Sequence, residues 1–235
     1  MNKPLILVVE DDSSVKNLIT TTLKAHDYRH LTAPNGKAAI LEASSHNPDI
    51  VLLDLGLPDI EGVDVIKKIR TWSNVPIIVI SARSEDADKI DALDAGADDY
   101  ITKPFLPLEL VARVKAQLRR YKKYNVGSAV MAADEVFKYA GLTMNIKTYE
   151  CRLNGETLSL TPTEFSILRI LLERKCSVVS AEELFHEVWQ EEYYTKSNNT
   201  ITVHIRHLRE KMKDTGENPR YIKTVWGVGY KIGEI

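Results

Sequence analysis

Four short stretches carry side chains that could do chemistry together: Glu10-Asp11-Asp12, Asp54, Ser81 and Lys103-Pro104. Each has a bland explanation by itself. An aspartate at a strand end is usually a turn former, and a Lys-Pro pair is usually a loop. Their placement along the chain says more. Asp54 ends the apolar run "IVLLD", where an unused charge would be expensive. Glu10-Asp11 ends "ILVVED", Ser81 ends "PIIVIS", and Lys103 ends "DYITK". Several carboxylates at close range raise one another's pKa, and a divalent cation relieves that. All-oxygen ligands such as Glu10-Asp11-Asp12 and Asp54 offer suit Mg²⁺, which keeps some waters and shares phosphate oxygens. A carboxylate beside Mg²⁺ can be the nucleophile toward a phosphoryl group. Lys103 supplies an ammonium for one equatorial oxygen and Ser81 a hydroxyl for another. Pro104 invites a cis peptide that turns the lysine inward. The chemistry expected is therefore phosphoryl acceptance on Asp54.

The elements that must hold these residues read as five strand–helix units in about 120 residues. The runs "ILVVE", "IVLLD" and "IIVIS" are apolar on both faces, as strands of a helix-covered parallel sheet are. Helical spacing follows each: Val15 to Leu23, Ala38 to Ala43, Gly62 to Trp72, Asp88 to Ala95 and Leu108 to Arg120, with "SS" at 13 and 14 as a cap for the first. "RHLTAP" is a weak second strand. Right-handed crossovers then give a doubly wound five-stranded α/β domain. Ligands of such sheets bind beyond the carboxyl ends of the strands.

Residues 122–134 lack periodicity and read as a linker, dividing the chain into 1–121 and 135–235. The second part changes pattern. Short antiparallel strands are expected in "VFKYAGLTMN" and "YECRLNGETLSLT", with a hairpin at Asn154-Gly155. Thr161, Pro162 and Glu164 form a cap, first-turn proline and capping box; "SAEELFHEVW" repeats the design. Asn198 to Lys213 is a longer helix, and "YIKTVWGVGYKI" ends as two strands. This order predicts an α+β winged helix-turn-helix. Ile201, Ile205, Leu208 and Met212 form its buried stripe. Thr202, Arg206, His207, Arg209 and Lys213 fall elsewhere, several of them able to face a major groove. Arg206 and Arg209 can reach guanine edges or phosphates, though either can instead be tied up internally.

The chain as a whole carries a net charge of −2, with 44% apolar and 27% charged residues. No whole-molecule charge argument points to nucleic acid. The window 196–231 differs: eight Lys/Arg against three acids leave it locally +5, a candidate phosphate-binding surface. Lys196, Thr200, Lys223 and Lys231 are its expected phosphate contacts. The two cysteines, Cys151 and Cys176, suggest neither a metal framework nor a disulfide scaffold. No run approaches the ~20 apolar residues of a membrane span, so the expectation is a cytoplasmic protein with no membrane partner.

"ILVVEDD", "VLLDLGLPDIEG", "VPIIVISAR", "ALDAGADDYITKPF", "LTPTEF", "TITVHIRHLREK" and "TVWGVGY" together resemble a two-component response regulator of the OmpR/PhoB family over almost the whole length. "LLDLGLPD" with "SARSEDADKIDALDAGADDY" is most similar to the KdpE type, which controls a potassium-uptake (kdp) operon. The resemblance implies that a sensor histidine kinase phosphorylates Asp54. It implies that Glu10, Asp11, Asp54 and the Gly56 carbonyl hold Mg²⁺, and that Ser81 and Tyr100 are a switch pair. It further implies a two-fold receiver dimer pairing Lys89 with Glu109, Asp98 with Arg113 and Asp99 with Arg120 around Leu93 and Val111. Promoter DNA and RNA polymerase follow as partners. One departure stands out: Trp226 occupies a wing position where many relatives have Arg, so wing contact beyond Lys223 and Lys231 is open. Two other classes compete. A Mg-dependent aspartyl phosphotransferase or phosphatase needs a substrate pocket and cap insertion, for which the first 120 residues leave no room. A protein–protein module without DNA binding leaves the basic window unexplained.

Overall fold

The computed structural model describes residues 3–125, 136–189 and 198–233, the side chains of 120–125, 198 and 199 excepted. Two compact units divide the chain, Met1–Tyr121 and Lys122–Ile235. No helix among the described residues is long and apolar enough to cross a membrane.

The first unit is a parallel sheet of β1 (Leu5–Val9), β2 (Arg29–Ala33), β3 (Ile50–Leu53), β4 (Ile77–Ser81) and β5 (Asp99–Thr102) in the order β2-β1-β3-β4-β5. Between them run α1 (Ser13–Ala25), α2 (Gly36–His46), α3 (Gly62–Arg70) and α4 (Asp86–Asp94), and α5 (Pro107–Asn125) follows. The three central strands are buried nearly throughout, as their uninterrupted apolar runs require. Edge position explains why Arg29–Ala33 reads weakly: that strand is covered only in part. The strand order reverses between β1 and β3, and that crevice is where doubly wound sheets bind ligands. Asp12, not Ser13 or Ser14, caps α1; its Oδ1 accepts from the Ser14 and Val15 amides at 2.7 and 3.0 Å. The third acid of the triplet is thereby a helix cap. Helix α5 continues to Asn125, four residues into the expected linker, and the rest of that linker lies outside the described residues.

The second unit opens with an antiparallel sheet of β6 (Val136–Tyr139), β7 (Leu142–Asn145), β8 (Glu150–Leu153) and β9 (Glu156–Thr157). Asn154 and Gly155 both take positive φ, 51° and 88°, as a type I′ hairpin needs. Ala140-Gly141 does the same between β6 and β7, which alanine hides from a sequence reading. Helices α6 (Pro162–Glu173), α7 (Ala181–Trp189) and α8 (Asn198–Lys211) follow, then the hairpin β10 (Ile222–Val225) and β11 (Gly229–Ile232). Both capping boxes form: Thr161 with Glu164, and Ser180 with Glu183. Helix α8 stops two residues short of Lys213, which turns left-handed (φ 55°) while the Asp214 amide bonds back to the Arg209 carbonyl. Ile201, Ile205, Leu208 and Met212 are all buried, in one core with Phe165, Leu168, Leu184 and Ile222. Cys151 belongs to that core, and burial pushes its thiol up to about 12; Cys176 is exposed.

Candidate functional site

The parallel register sets four chemically able side chains side by side. Val9 pairs with Leu53, Leu53 with Val79, and Ser81 with Thr102. The next residues along β1, β3 and β5 are Glu10, Asp54 and Lys103, and Ser81 closes β4. Lys103 Nζ donates to Asp54 Oδ2 at 2.7 Å and to Glu10 Oε2 at 2.8 Å. The Lys103–Pro104 peptide is cis, as expected. Ligand atoms of Glu10, Asp11 and Asp54 all lie within 4.8 Å of one another. Glu10 is almost wholly buried, Asp54 is 8% exposed and Asp11 is open to solvent.

These surroundings set the charges. Burial pushes the Glu10 carboxyl up, further than the Lys103 ammonium brings it down, and the Asp54 charge adds to the rise. Burial also works against the Lys103 charge, but hydrogen bonds to Asp54 and Glu10 outweigh it and hold the amine above its usual range. One ammonium thus serves two carboxylates, and a third is within reach of the same point. That excess of anionic oxygen, one carboxylate of it buried, fits a hard divalent cation. Gly56 sits on the same loop; its amide donates to Asp54 Oδ1 at 3.2 Å, and an added Cβ there would meet nothing. Asp59, further along, accepts from the Gly36 and Lys37 amides and so ties this loop to the start of α2.

Ser81 is buried beside Asp54, and the Arg83 amide donates to its Oγ at 3.3 Å. The Tyr100 hydroxyl donates to the Arg83 carbonyl at 2.7 Å. Burial lifts the Tyr100 phenol above its ordinary range, while a hydrogen bond with the Ser81 side chain pulls the other way. The two meet at the Arg83 backbone, Ser81 accepting from its amide and Tyr100 donating to its carbonyl. Sequence reading missed Arg83. Its guanidinium pairs with Glu61 at 2.9 Å, bracing the loop after β4 against the start of α3.

The α4–β5–α5 face corrects part of the expected pairing. Asp98 is fully buried; its Oδ2 accepts from Arg70 at 2.8 Å and from the Ile77 amide at 3.0 Å. It has no surface to offer Arg113. Arg113 instead bonds Asp99 at 3.2 Å and Glu109 at 3.2 Å within one chain. Leu93 and Val111 are 1% and 3% exposed, packed into their own domain rather than presented as an apolar centre. Lys89 and Glu109 are half-buried at the surface, and the Arg120 side chain lies outside the described residues.

Packing also sorts the basic window. Arg206 and Thr202 project from α8, with the Arg206 side chain 48% exposed and 3.7 Å from Glu210. Thr200 is half-buried and Lys213 exposed. Arg209 turns inward: its guanidinium donates twice to the Ile222 carbonyl, at 2.7 and 3.0 Å, and to Thr224 Oγ1 at 2.9 Å. It holds the hairpin onto α8 through Nε and Nη2, which draws the guanidinium toward β10 and away from the outer face of the helix. His207 is likewise mostly covered, 3.9 Å from Glu164. Lys231 is 8% exposed, so its stem packs in the domain, while Lys223 remains half-exposed. Lys196 lies outside the described residues. Glu164 does more than cap: buried, it accepts from the Thr161 amide at 2.8 Å and from Lys211 Nζ at 2.6 Å, tying the start of α6 to the end of α8. Its double role carries no sequence signal, because Lys211 is 47 residues away.

Two family models match along the chain. Residues 6–115 match the response regulator receiver domain, and 155–232 match the transcriptional regulatory protein C-terminal domain. The regulatory protein VanR of Enterococcus faecium is 54% identical, over 97% of each chain. The KDP operon transcriptional regulatory protein KdpE of Escherichia coli is 38% identical, over 97% of this chain and 98% of its own. The crystal structure of DrrB, a Thermotoga maritima OmpR/PhoB homolog, superposes with a TM-score of 0.52 at 29% identity, covering 99% of this chain and all of its own. The KdpE type is thus one relative among several, and not the most similar of these. These relatives are transcriptional regulatory proteins, in line with the expected regulator and against the competing phosphotransferase or phosphatase reading.

Proposed function

Because the chain belongs to the OmpR/PhoB family of two-component response regulators, we propose that Asp54 accepts a phosphoryl group from a sensor histidine kinase and that the modified protein binds promoter DNA. One observation carries this reading: Lys103 bridges Glu10 and Asp54 at the crevice where the strand order reverses.

Asp54 is the nucleophile. Its carboxylate oxygen forms the new P–O bond as the P–N bond to the donor's phosphohistidine breaks, and the leaving imidazole recovers a proton. Glu10, Asp11, Asp54 and the Gly56 carbonyl would hold Mg²⁺, which supplies neutralisation of the developing charge. Lys103 exchanges its Asp54 contact for a phosphoryl oxygen, and Ser81 donates to another. Ser81 and Tyr100 both bond the Arg83 backbone, so a shift of Ser81 is felt at the α4–β5–α5 face. That face pairs with a second copy through Lys89, Glu109 and Arg113, with Asp98 left out. Dimerisation brings two effector units to DNA, where Arg206 and Thr202 read bases and Lys213 and Lys223 hold phosphates. Promoter-bound dimers then act on RNA polymerase in the cytoplasm.

The test is chemical. The chain, incubated with Mg²⁺ and ³²P-labelled acetyl phosphate, is expected to take up acid-stable, base-labile label. Asp54→Ala should lose it entirely; label retained at full yield would overturn the assignment. Genome-wide footprinting with and without beryllofluoride names the promoter, a KDP operon among the candidates.

A further inference from the structure

The loop from β3 to α3 carries Gly56 past the acidic site with little packed against it. Gly56, Pro58 and Asp59 are exposed, and a Cβ built on Gly56 would meet no atom within 4 Å. Hydrogen bonds therefore set its course. Its ends are closed locally: the Gly56 amide donates to Asp54 Oδ1 at 3.2 Å, and the Gly62 amide donates to the Leu55 carbonyl at 3.1 Å. A Cβ on Gly62 would lie 2.6 Å from Leu55 Cα and 2.7 Å from the Asp54 carbonyl oxygen, so that closure is tight. The middle of the loop is anchored elsewhere. Asp59 Oδ1 accepts from the Gly36 amide at 2.8 Å and Oδ2 from the Lys37 amide at 3.0 Å, partners 23 and 22 residues away.

Helix α2 already has a cap of its own. The Asn35 side chain accepts from the Ala38 amide at 2.9 Å. The two amides before it are ones that a helix cannot satisfy internally, and Asp59 takes both. The approach is close as well as polar, since a Cβ on Gly36 would collide with Ile60 and Val65. A capped helix packed on its sheet is the firmer of the two partners. The Asp59 bonds thus fix the loop to the helix more than they hold the helix itself.

We infer that Asp59 is a positioning residue for Mg²⁺: by tying the loop to α2 it holds the Gly56 carbonyl in place for the cation, and by the same bonds it couples the metal site to the start of α2. This rests on the reading above, in which Glu10, Asp11, Asp54 and the Gly56 carbonyl hold the ion. The three carboxylates can reach a cation by choosing rotamers. A backbone carbonyl has no such freedom and goes where its loop goes. Mg²⁺ tolerates little departure from octahedral geometry, so a slack loop costs affinity. Groups that orient a metal ligand without touching the metal matter for this reason. Such a coupling is reciprocal. The Asp59 bonds and the bound cation stabilise each other, and the Gly36 and Lys37 amides report it.

The experiment uses the full-length chain without phosphodonor. Mg²⁺ affinity is read by isothermal titration calorimetry, and exchange of individual amides by NMR. In wild type, Mg²⁺ should slow exchange at Gly36 and Lys37. D59A should bind Mg²⁺ about tenfold more weakly and lose that protection. D59N removes the charge but keeps an acceptor oxygen, and at about 0.15 M salt, where an exposed charge is well screened, it should bind within about twofold of wild type. In labelling by acetyl phosphate, D59A should need about tenfold more Mg²⁺ for half-maximal rate and reach the wild-type plateau. Unchanged Mg²⁺ affinity in D59A overturns the inference and leaves Asp59 a helix cap. Equal losses in D59A and D59N also overturn it, by making the residue a distant charge. Should D59A fail to fold, the wild-type exchange decides: Gly36 and Lys37 amides indifferent to Mg²⁺ overturn the coupling. If wild type binds no Mg²⁺, the metal reading itself falls, a result distinct from wild-type binding that D59A leaves intact.

Discussion

The rim of the parallel sheet and the face of α8 were both read from polar residues in a regular pattern, yet the structure treats them differently. At the rim, Glu10, Asp54, Ser81 and Lys103 end four neighbouring strands, and all four converge. On α8, Arg206 faces out while His207 and Arg209, one and three residues further on, are drawn into the domain. A parallel sheet has one carboxyl edge, so a residue's place in the strand fixes its destination. A helix has a graded circumference, and whether a half-exposed cation meets solvent or a neighbouring carbonyl depends on what packs beside it.

The largest test of this contrast lies at Asp98, a charged residue that resemblance sends to an interface and packing sends inward. Asp98→Ala should destabilise the receiver unit by about 3 kcal/mol, because Arg70 and the Ile77 amide lose a buried acceptor. Thermal unfolding checks this, and phosphodonor-dependent dimerisation of the folded fraction should persist on gel filtration. Normal melting with lost dimerisation would return Asp98 to the interface. Arg209→Ala comes next. It removes three charge-assisted hydrogen bonds to the hairpin and should cost about 2 kcal/mol of effector stability, lowering affinity for promoter and random duplexes alike. Arg206→Ala should leave stability intact and lose about tenfold on the promoter duplex alone. Equal losses on both DNAs for both variants would erase the distinction between them.

The smallest effect is one of pH. Burial holds the His207 imidazole below its ordinary range, with Glu164 and Glu210 pulling upward and Arg206 and Lys211 downward. The folded state therefore binds fewer protons there than the unfolded chain. The resulting stability is fully present above about 6.5 and is lost as pH falls through that value and below. Urea unfolding followed by the emission of buried Trp189 should weaken from pH 7.5 to 5.5, and His207→Gln should weaken less. Identical pH dependence would remove His207 from the explanation.

What could be read in advance follows the same logic. The succession of strands and helices, both capping boxes, the Asn154-Gly155 turn and the Ile201–Met212 stripe are local or periodic signals, each carried by residues close together in the chain. The Arg70–Asp98, Lys211–Glu164 and Arg83–Glu61 ties join residues 28, 47 and 22 apart. Nothing in the spacing of such pairs announces them, because the fold alone brings the partners together. Asp12 illustrates the limit at short range. Three consecutive acids look equivalent, but only two can face the crevice once the third has to start a helix.

The two thiols differ in a way that an experimenter can use. Cys151 is shut in the effector core, while Cys176 is exposed and its amide is anchored to the Ile232 carbonyl at the foot of the hairpin. A maleimide dye added to the native, unmutated chain should attach at a single site. That site sits at the root of the wing, so the dye would report hairpin movement when DNA or phosphate is supplied.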